Sequence, residues 1–185
     1  MWVLLVDIAT DEPVSRLGEM LEDILAIPLD DGRVRDAIIT MIEQQRAGIW
    51  RARHSVSEAH KKYGMSHDIA VPIGRIPEFI ERAEVIVPTR FPDAEIAVVG
   101  HIGDGNLHYN VIFEQSRWAA VDDKAEIRRQ VFKAIYDLAV ELGGTFSAEH
   151  GIGALHLDEM QAYKAPLELD LIRKLKVLCS TPLGS

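Results

Sequence analysis

The 185-residue chain is 48% apolar and 26% charged, a globular mix long enough to bury a core, and no run approaches the roughly 18 apolar residues of a membrane span. Its 29 acidic residues outnumber 20 basic ones for a net charge of −9, and the basic stretches are limited to Arg46 to Arg53 and Lys61-Lys62, so no nucleic-acid partner is expected. The one cysteine, Cys179, excludes an internal disulfide and a cysteine-built zinc site, and with no signal peptide legible in Met1-Trp2-Val3-Leu4-Leu5-Val6 it points to the cytoplasm.

Residues 2 to 8 form an apolar, β-rich run ended by Thr10-Asp11-Glu12-Pro13, the pattern of a strand leading into a helix. Leu17, Met20, Leu21, Ile24 and Leu25 then repeat at threes and fours, which makes one apolar helical stripe. Leu29-Asp30-Asp31-Gly32 reads as a turn, and Val34 to Ile39 as a strand returning beside the first, though helix and strand are hard to separate there. Thr40 and Glu43 form a capping-box pattern, and the helix they open is expected to run to about Tyr63 and stop at Gly64.

Asp68 to Pro72 reads as a short strand. Pro77 suits a first helical position, with Phe79, Ile80, Ala83 and Ile86 on one face until Pro88. The strongest β signal follows: Glu95 to Ile102 and Asn106 to Phe113, joined by Gly103-Asp104-Gly105 as a hairpin connection. In the second run Leu107, Tyr109, Val111 and Phe113 alternate with Asn106, His108 and Asn110, so one face is apolar and the other polar. A long helix is expected from about Trp118 to Leu142, ending at Gly143-Gly144, and a last one from Pro166 to Leu178. Strands separated by helices, with a tight hairpin that rules out a purely parallel sheet, give an α+β fold with a largely antiparallel sheet in a single domain over residues 1–185.

The residues suited to chemistry gather late in the chain. His101 and His108 sit at the two ends of the hairpin connection, close enough to share a metal ion, or else they are two polar residues at an exposed loop. Glu149-His150-Gly151-Ile152-Gly153 offers a hard oxygen ligand and a proton acceptor in one loop, against the alternative of a surface turn built on glycine. Asn110 leaves its strand on the same face as His108, as a substrate contact or a sheet polar facing water. Arg53, Ser57 and His60 occupy i, i+4 and i+7 of the capped helix, where an arginine could fork a carboxylate or simply face solvent. Ser147 lacks a nucleophile-elbow context, and the glycines form no phosphate-binding motif. His54, His67 and His156 receive no role.

Taken as a string, Gly100-His101-Ile102-Gly103-Asp104-Gly105-Asn106-Leu107-His108-Tyr109-Asn110 followed by Glu149-His150-Gly151-Ile152-Gly153 closely resembles the C-terminal domain of FAD-linked oxidases. These are the flavin-dependent D-2-hydroxyacid dehydrogenases of the D-lactate, glycolate and D-2-hydroxyglutarate type. Trp50 to Ser57 and Asp68 to Pro72 extend the similarity, which covers roughly residues 35 to 178. The resemblance implies a ferredoxin-like sheet with helices on one side, capping FAD that is held mainly by an N-terminal FAD-binding domain absent from this chain. It also implies a small 2-hydroxyacid substrate.

By motif, the resemblance makes His101, His108 and Glu149 ligands of a divalent metal, usually zinc. Asn110 would help hold the substrate, and Arg53 with Ser57, where relatives often have threonine, would grip its carboxylate. His150 would accept the hydroxyl proton as hydride leaves for the flavin. Two departures stand out. Many relatives carry a lysine two residues before the aspartate of the short strand, where this chain has Ser66, which disfavours a dicarboxylate substrate. The tail from Cys179 to Ser185 lacks the asparagine-proline-glycine segment that meets the flavin domain, so a truncated chain is expected. A flavin-domain interface left exposed favours self-association, so a homo-oligomer is an open alternative. The competing functions are a metal-dependent hydrolase using the same histidines and glutamate, and a stand-alone carboxylate-binding module.

Overall fold

The computed structural model describes residues 2–8, 14–40, 42–61, 64–154 and 156–180. The chain divides into two units, Met1–Val56 and Ser57–Ser185. In the first unit, residues 2–8 are irregular and largely exposed rather than a strand. A β-rich run needs a neighbour to take its backbone hydrogen bonds, and no strand lies among the described residues of this unit. Helix α1, Val14–Asp30, follows and half-buries Leu17, Leu21 and Leu25, while Met20 and Ile24 stay exposed. Residues 34–39, expected as a strand, are irregular for the same want of a partner.

Helix α2, Glu43–Lys61, begins at the glutamate of the expected capping box rather than three residues before it, and Glu43 pairs instead with Arg46 at 3.1 Å. Asp7 ties the leading segment to α2, accepting from Arg46 Nη2 at 2.7 Å and from Trp50 Nε1 at 3.1 Å.

The second unit is built on strand alternation. Strand β1, Gly64–Ala70, starts four residues before its expected beginning, and buries Met65, His67 and Ile69 on one face. Helix α3, Ile76–Arg90, has Pro77 in its first turn, where its missing N–H costs nothing, and turns Phe79, Ala83 and Val87 inward. Strands β2, Ala94–His101, and β3, Asn106–Phe113, form the expected hairpin, joined through a 3-10 turn at Ile102–Asp104. Gly105 closes it at φ +69°, a left-handed conformation, with its Cα so near Val71 that a Cβ would lie 2.2 Å from the Val71 carbonyl oxygen.

The expected helix from Trp118 to Leu142 is two helices, α4 (Gln115–Ala119) and α5 (Lys124–Glu141). Asp123 interrupts it by capping α5, its side chain accepting Glu126 N–H at 2.9 Å. A short helix α6, Leu157–Tyr163, was not anticipated, and α7, Pro166–Ser180, closes the chain. No helix among the described residues is long and apolar enough to cross a membrane.

All pairing in the sheet is antiparallel, in the order β1-β3-β2. Thr145 adds one antiparallel bridge to Ala70, in the place of a fourth strand beside β1. With α3 between β1 and β2 and α5 after β3, this is the split βαβ order of a ferredoxin-like fold, its last strand reduced to one bridge. Residues paired across strands share a face, so Met65, Ile69, Leu107, Tyr109 and Val111 pack together with Phe79, Val87, Val131 and Ile135 of α3 and α5. Asp68, Asn106, His108, Asn110 and His101 consequently leave from the opposite face.

Candidate metal and substrate site

The register decides which of these polar groups meet. His108 lies opposite Asp68 on β1 and Val99 on β2, while His101 lies opposite Asn106. His101 and His108 are therefore diagonal neighbours on one face, their rings edge to face with centroids 5.9 Å apart.

The third element comes from after α5. The chain returns along the edge of β1, with Thr145 bonded both ways to Ala70 and Ala148 N–H donating to the Asp68 carbonyl at 3.1 Å. That short pairing delivers Glu149 and His150 over the polar face. Glu149 Oε1 lies 3.7 Å from His101 Nε2, and Oε2 lies 3.8 Å from His108 Nε2. The His150 ring stacks on that of His108 at 5.5 Å and 24°.

Donors about 2.1 Å from a tetrahedral zinc lie about 3.4 Å from one another, so these side chains must close in somewhat to share an ion. One donor atom each from His101, His108 and Glu149 falls within 4.8 Å of the others. Two imidazole nitrogens and one carboxylate oxygen suit zinc and similar divalent ions, and three protein ligands leave a position for a small molecule. A second grouping, Asp68, His108 and His150, meets the same spacing.

At His108, electrostatics favour the neutral imidazole. Burial holds the His108 pKa below its ordinary value, against the opposing pull of the Glu149 and Asp68 carboxylates. At Asp68 burial would raise the pKa, but hydrogen bonds from the His150 and Glu149 amides and from Asn106 outweigh it and hold the carboxyl below its usual range.

The remaining candidates are placed as follows. Asn110 is buried, with Nδ2 donating to the Ala97 and His108 carbonyls at 3.0 Å each. Arg53 is half-buried on α2 in the first unit. The side chains of Ser57 and His60 lie outside the described part of the structure. Trp50 is half-buried with its indole N–H on Asp7.

Asp68 and Asn106 were not singled out from sequence as site residues, yet both lie within it. Asn106 Nδ2 donates to Asp68 Oδ1 at 2.8 Å. The sequence showed Asp68 only as an acidic side chain opening a short expected strand, and only the register puts it opposite His108.

Comparison with known proteins identifies the family. Residues 1–179 match the family described as FAD linked oxidases, C-terminal domain. The chain is 31% identical over 154 residues to a D-2-hydroxyglutarate dehydrogenase of Stutzerimonas stutzeri, covering 81% of this chain and 32% of that protein. It is 32% identical over 149 residues to the enzyme so named from Xanthomonas citri pv. viticola, covering 80% and 31%. With a mitochondrial D-2-hydroxyglutarate dehydrogenase of Arabidopsis thaliana it shares 28% over 180 residues, covering 96% and 30%. The chain spans about a third of the length of these curated relatives.

Proposed function

The chain belongs to the C-terminal domain family of FAD-linked oxidases, and from that premise we propose that it is the metal- and substrate-binding cap of a flavin-dependent oxidoreductase that oxidises a D-2-hydroxyacid to the 2-oxoacid. The observation that supports it most is the convergence of His101, His108 and Glu149 at ligand spacing, with His150 stacked against His108.

In this assignment His101, His108 and Glu149 hold a divalent ion, zinc by the character of the donors. Bound there, the ion would supply Lewis acidity at the substrate hydroxyl, and FAD on the parent's other domain would supply the hydride acceptor. His108, held neutral by burial, keeps a lone pair for ligation. His150 Nδ1 lies 3.4 Å from Asp68 Oδ2, which leaves Nε2 to take the hydroxyl proton while the α-carbon hydrogen departs with its electron pair. Asn110, on the same strand face as His108, is the proposed substrate contact within this unit, while Arg53 and Ser57 are assigned to the substrate carboxylate by the family motif alone.

Substrate choice turns on Ser66. It is exposed on the same face as Asp68 and opposite Asn110, at the position where a lysine would reach a second carboxylate. With serine there, we assign a monocarboxylate substrate, although the relatives are named for 2-hydroxyglutarate. A higher kcat/KM of the full-length parent for D-2-hydroxyglutarate than for D-lactate would overturn that choice.

The metal assignment is tested by metal content under mass spectrometry for the chain and for His108→Ala. About one divalent ion per chain, lost in the variant, is expected; equal content in both would sink the assignment. In the parent, His150→Gln should keep the metal and abolish flavin reduction by the hydroxyacid.

A further inference from the structure

The carboxylate of Asp68 lies under the proposed ligands without belonging to them. Its Oδ2 accepts the backbone N–H of Glu149 and that of His150, both at 2.8 Å. Its Oδ1 accepts Asn106 Nδ2 at 2.8 Å. The same two oxygens approach the rings of the site, Oδ1 lying 3.9 Å from His108 Nδ1 and Oδ2 lying 3.4 Å from His150 Nδ1. The Asp68 side chain is only 12% exposed, so these bonds are poorly exchanged with water. The segment it holds has no regular secondary structure from residue 146 to 154, and it contains Gly151 and Gly153 at φ +68° and +54°.

We infer that Asp68 is a positioning residue that clamps the backbone of Glu149 and His150, and so sets the metal-ligating carboxylate and the proton-accepting imidazole in place together. The inference rests on the function proposed above. Neither Glu149 nor His150 is held by a strand, and the pairing along β1 ends at Ala148, whose N–H bonds the Asp68 backbone carbonyl. Beyond that point two charge-assisted bonds to one oxygen of the half-buried Asp68 carboxylate replace the missing ladder. The other oxygen faces His108 Nδ1, on the far side of the ring from the Nε2 that meets Glu149. A carboxylate behind a ligating histidine favours the tautomer with the proton on the nitrogen facing it, which leaves the other nitrogen to ligate.

Asp68→Asn is nearly isosteric but cannot serve both sides. If the amide oxygen faces the two backbone N–H groups, its NH2 opposes Asn106 Nδ2; turned over, its NH2 opposes the backbone donors. Two measurements on the 185-residue chain decide the matter: zinc affinity by competition with a chelating dye, and amide hydrogen exchange of the metal-free protein. Loss of a partner behind the ligands typically weakens metal binding about 10- to 100-fold, and that loss is expected for Asp68→Asn.

In the same variant the Glu149 and His150 amides should lose protection while the Ala148 amide keeps it, because its acceptor is backbone. A purely structural lesion would instead release Ala148 and the core amides as well. In that event Asp68→Glu, which keeps the charge one methylene further out, decides: a retained core with zinc weakened at least about 10-fold supports the inference. Zinc affinity within about threefold of wild type, or unchanged protection at residues 149 and 150, overturns it. Were the wild-type chain to bind no zinc, the metal assignment would fall by itself, and the exchange pattern would still decide whether Asp68 is the clamp.

Discussion

His67 and Asp68 are neighbours in β1 with opposite surroundings, because successive side chains of a strand leave on opposite faces. His67 is fully buried between Phe132 and Tyr136, its Nδ1–H donating to the Tyr109 carbonyl at 2.8 Å. Burial pushes its pKa down from 6.5 to about 4. With the folded value below the unfolded one, the neutral ring contributes fully above pH 6.5, and stability is lost as pH falls from 6.5 toward 4, where only the unfolded chain takes up the proton. The gap amounts to on the order of 3 kcal/mol. Urea unfolding at pH 7 and pH 4 should therefore show the metal-free wild type losing about that much more than His67→Phe, and parallel losses would contradict it. Two positions before Asp68, Ser66 admits a sharper test of substrate choice. Ser66→Lys in the full-length parent should raise kcat/KM for D-2-hydroxyglutarate relative to D-lactate by up to about fivefold, as one new ion pair at an exposed position is worth up to about 1 kcal/mol. An unchanged ratio would remove residue 66 from specificity.

At the scale of elements, legibility followed local signals. The β2–β3 hairpin was readable because alternation and turn glycines both lie within one short stretch, and α3 because Pro77 and its apolar stripe agree. Residues 2–8 have the β pattern without a neighbour to pair with, so pattern alone misled. The break between α4 and α5 depends on Asp123 capping Glu126 N–H in a stretch otherwise compatible with one helix. The hairpin turn is also where a small change should do most damage. Gly105→Ala would require a left-handed alanine with its Cβ 2.2 Å from the Val71 carbonyl oxygen, so the backbone must move. It is expected to cost at least about 1 to 2 kcal/mol in denaturant unfolding, and to weaken zinc binding because His101 and His108 flank the turn. Wild-type stability in that variant would show the connection to be looser than its geometry.

On the scale of the whole molecule, the hydrophobic core and every proposed metal ligand lie in the unit Ser57–Ser185. A chain beginning at Ser57 should accordingly fold and bind zinc within about threefold of the full 185 residues. Loss of zinc binding on that truncation would show that the first unit supports the ligands. The α+β class and the family were already determined by the sequence, because alternation and the two motifs around His101–Asn110 and Glu149–Gly153 are local strings that survive without a fold. Which residues lie within reach of one another was decided only in three dimensions. His101 and His108 meet through a hairpin, but Glu149 and His150 join them through the passage of α5 and the pairing of Thr145 and Ala148 along β1. Asp68 became part of the site through register alone, since a one-residue slip would have turned it into the core and His67 out of it.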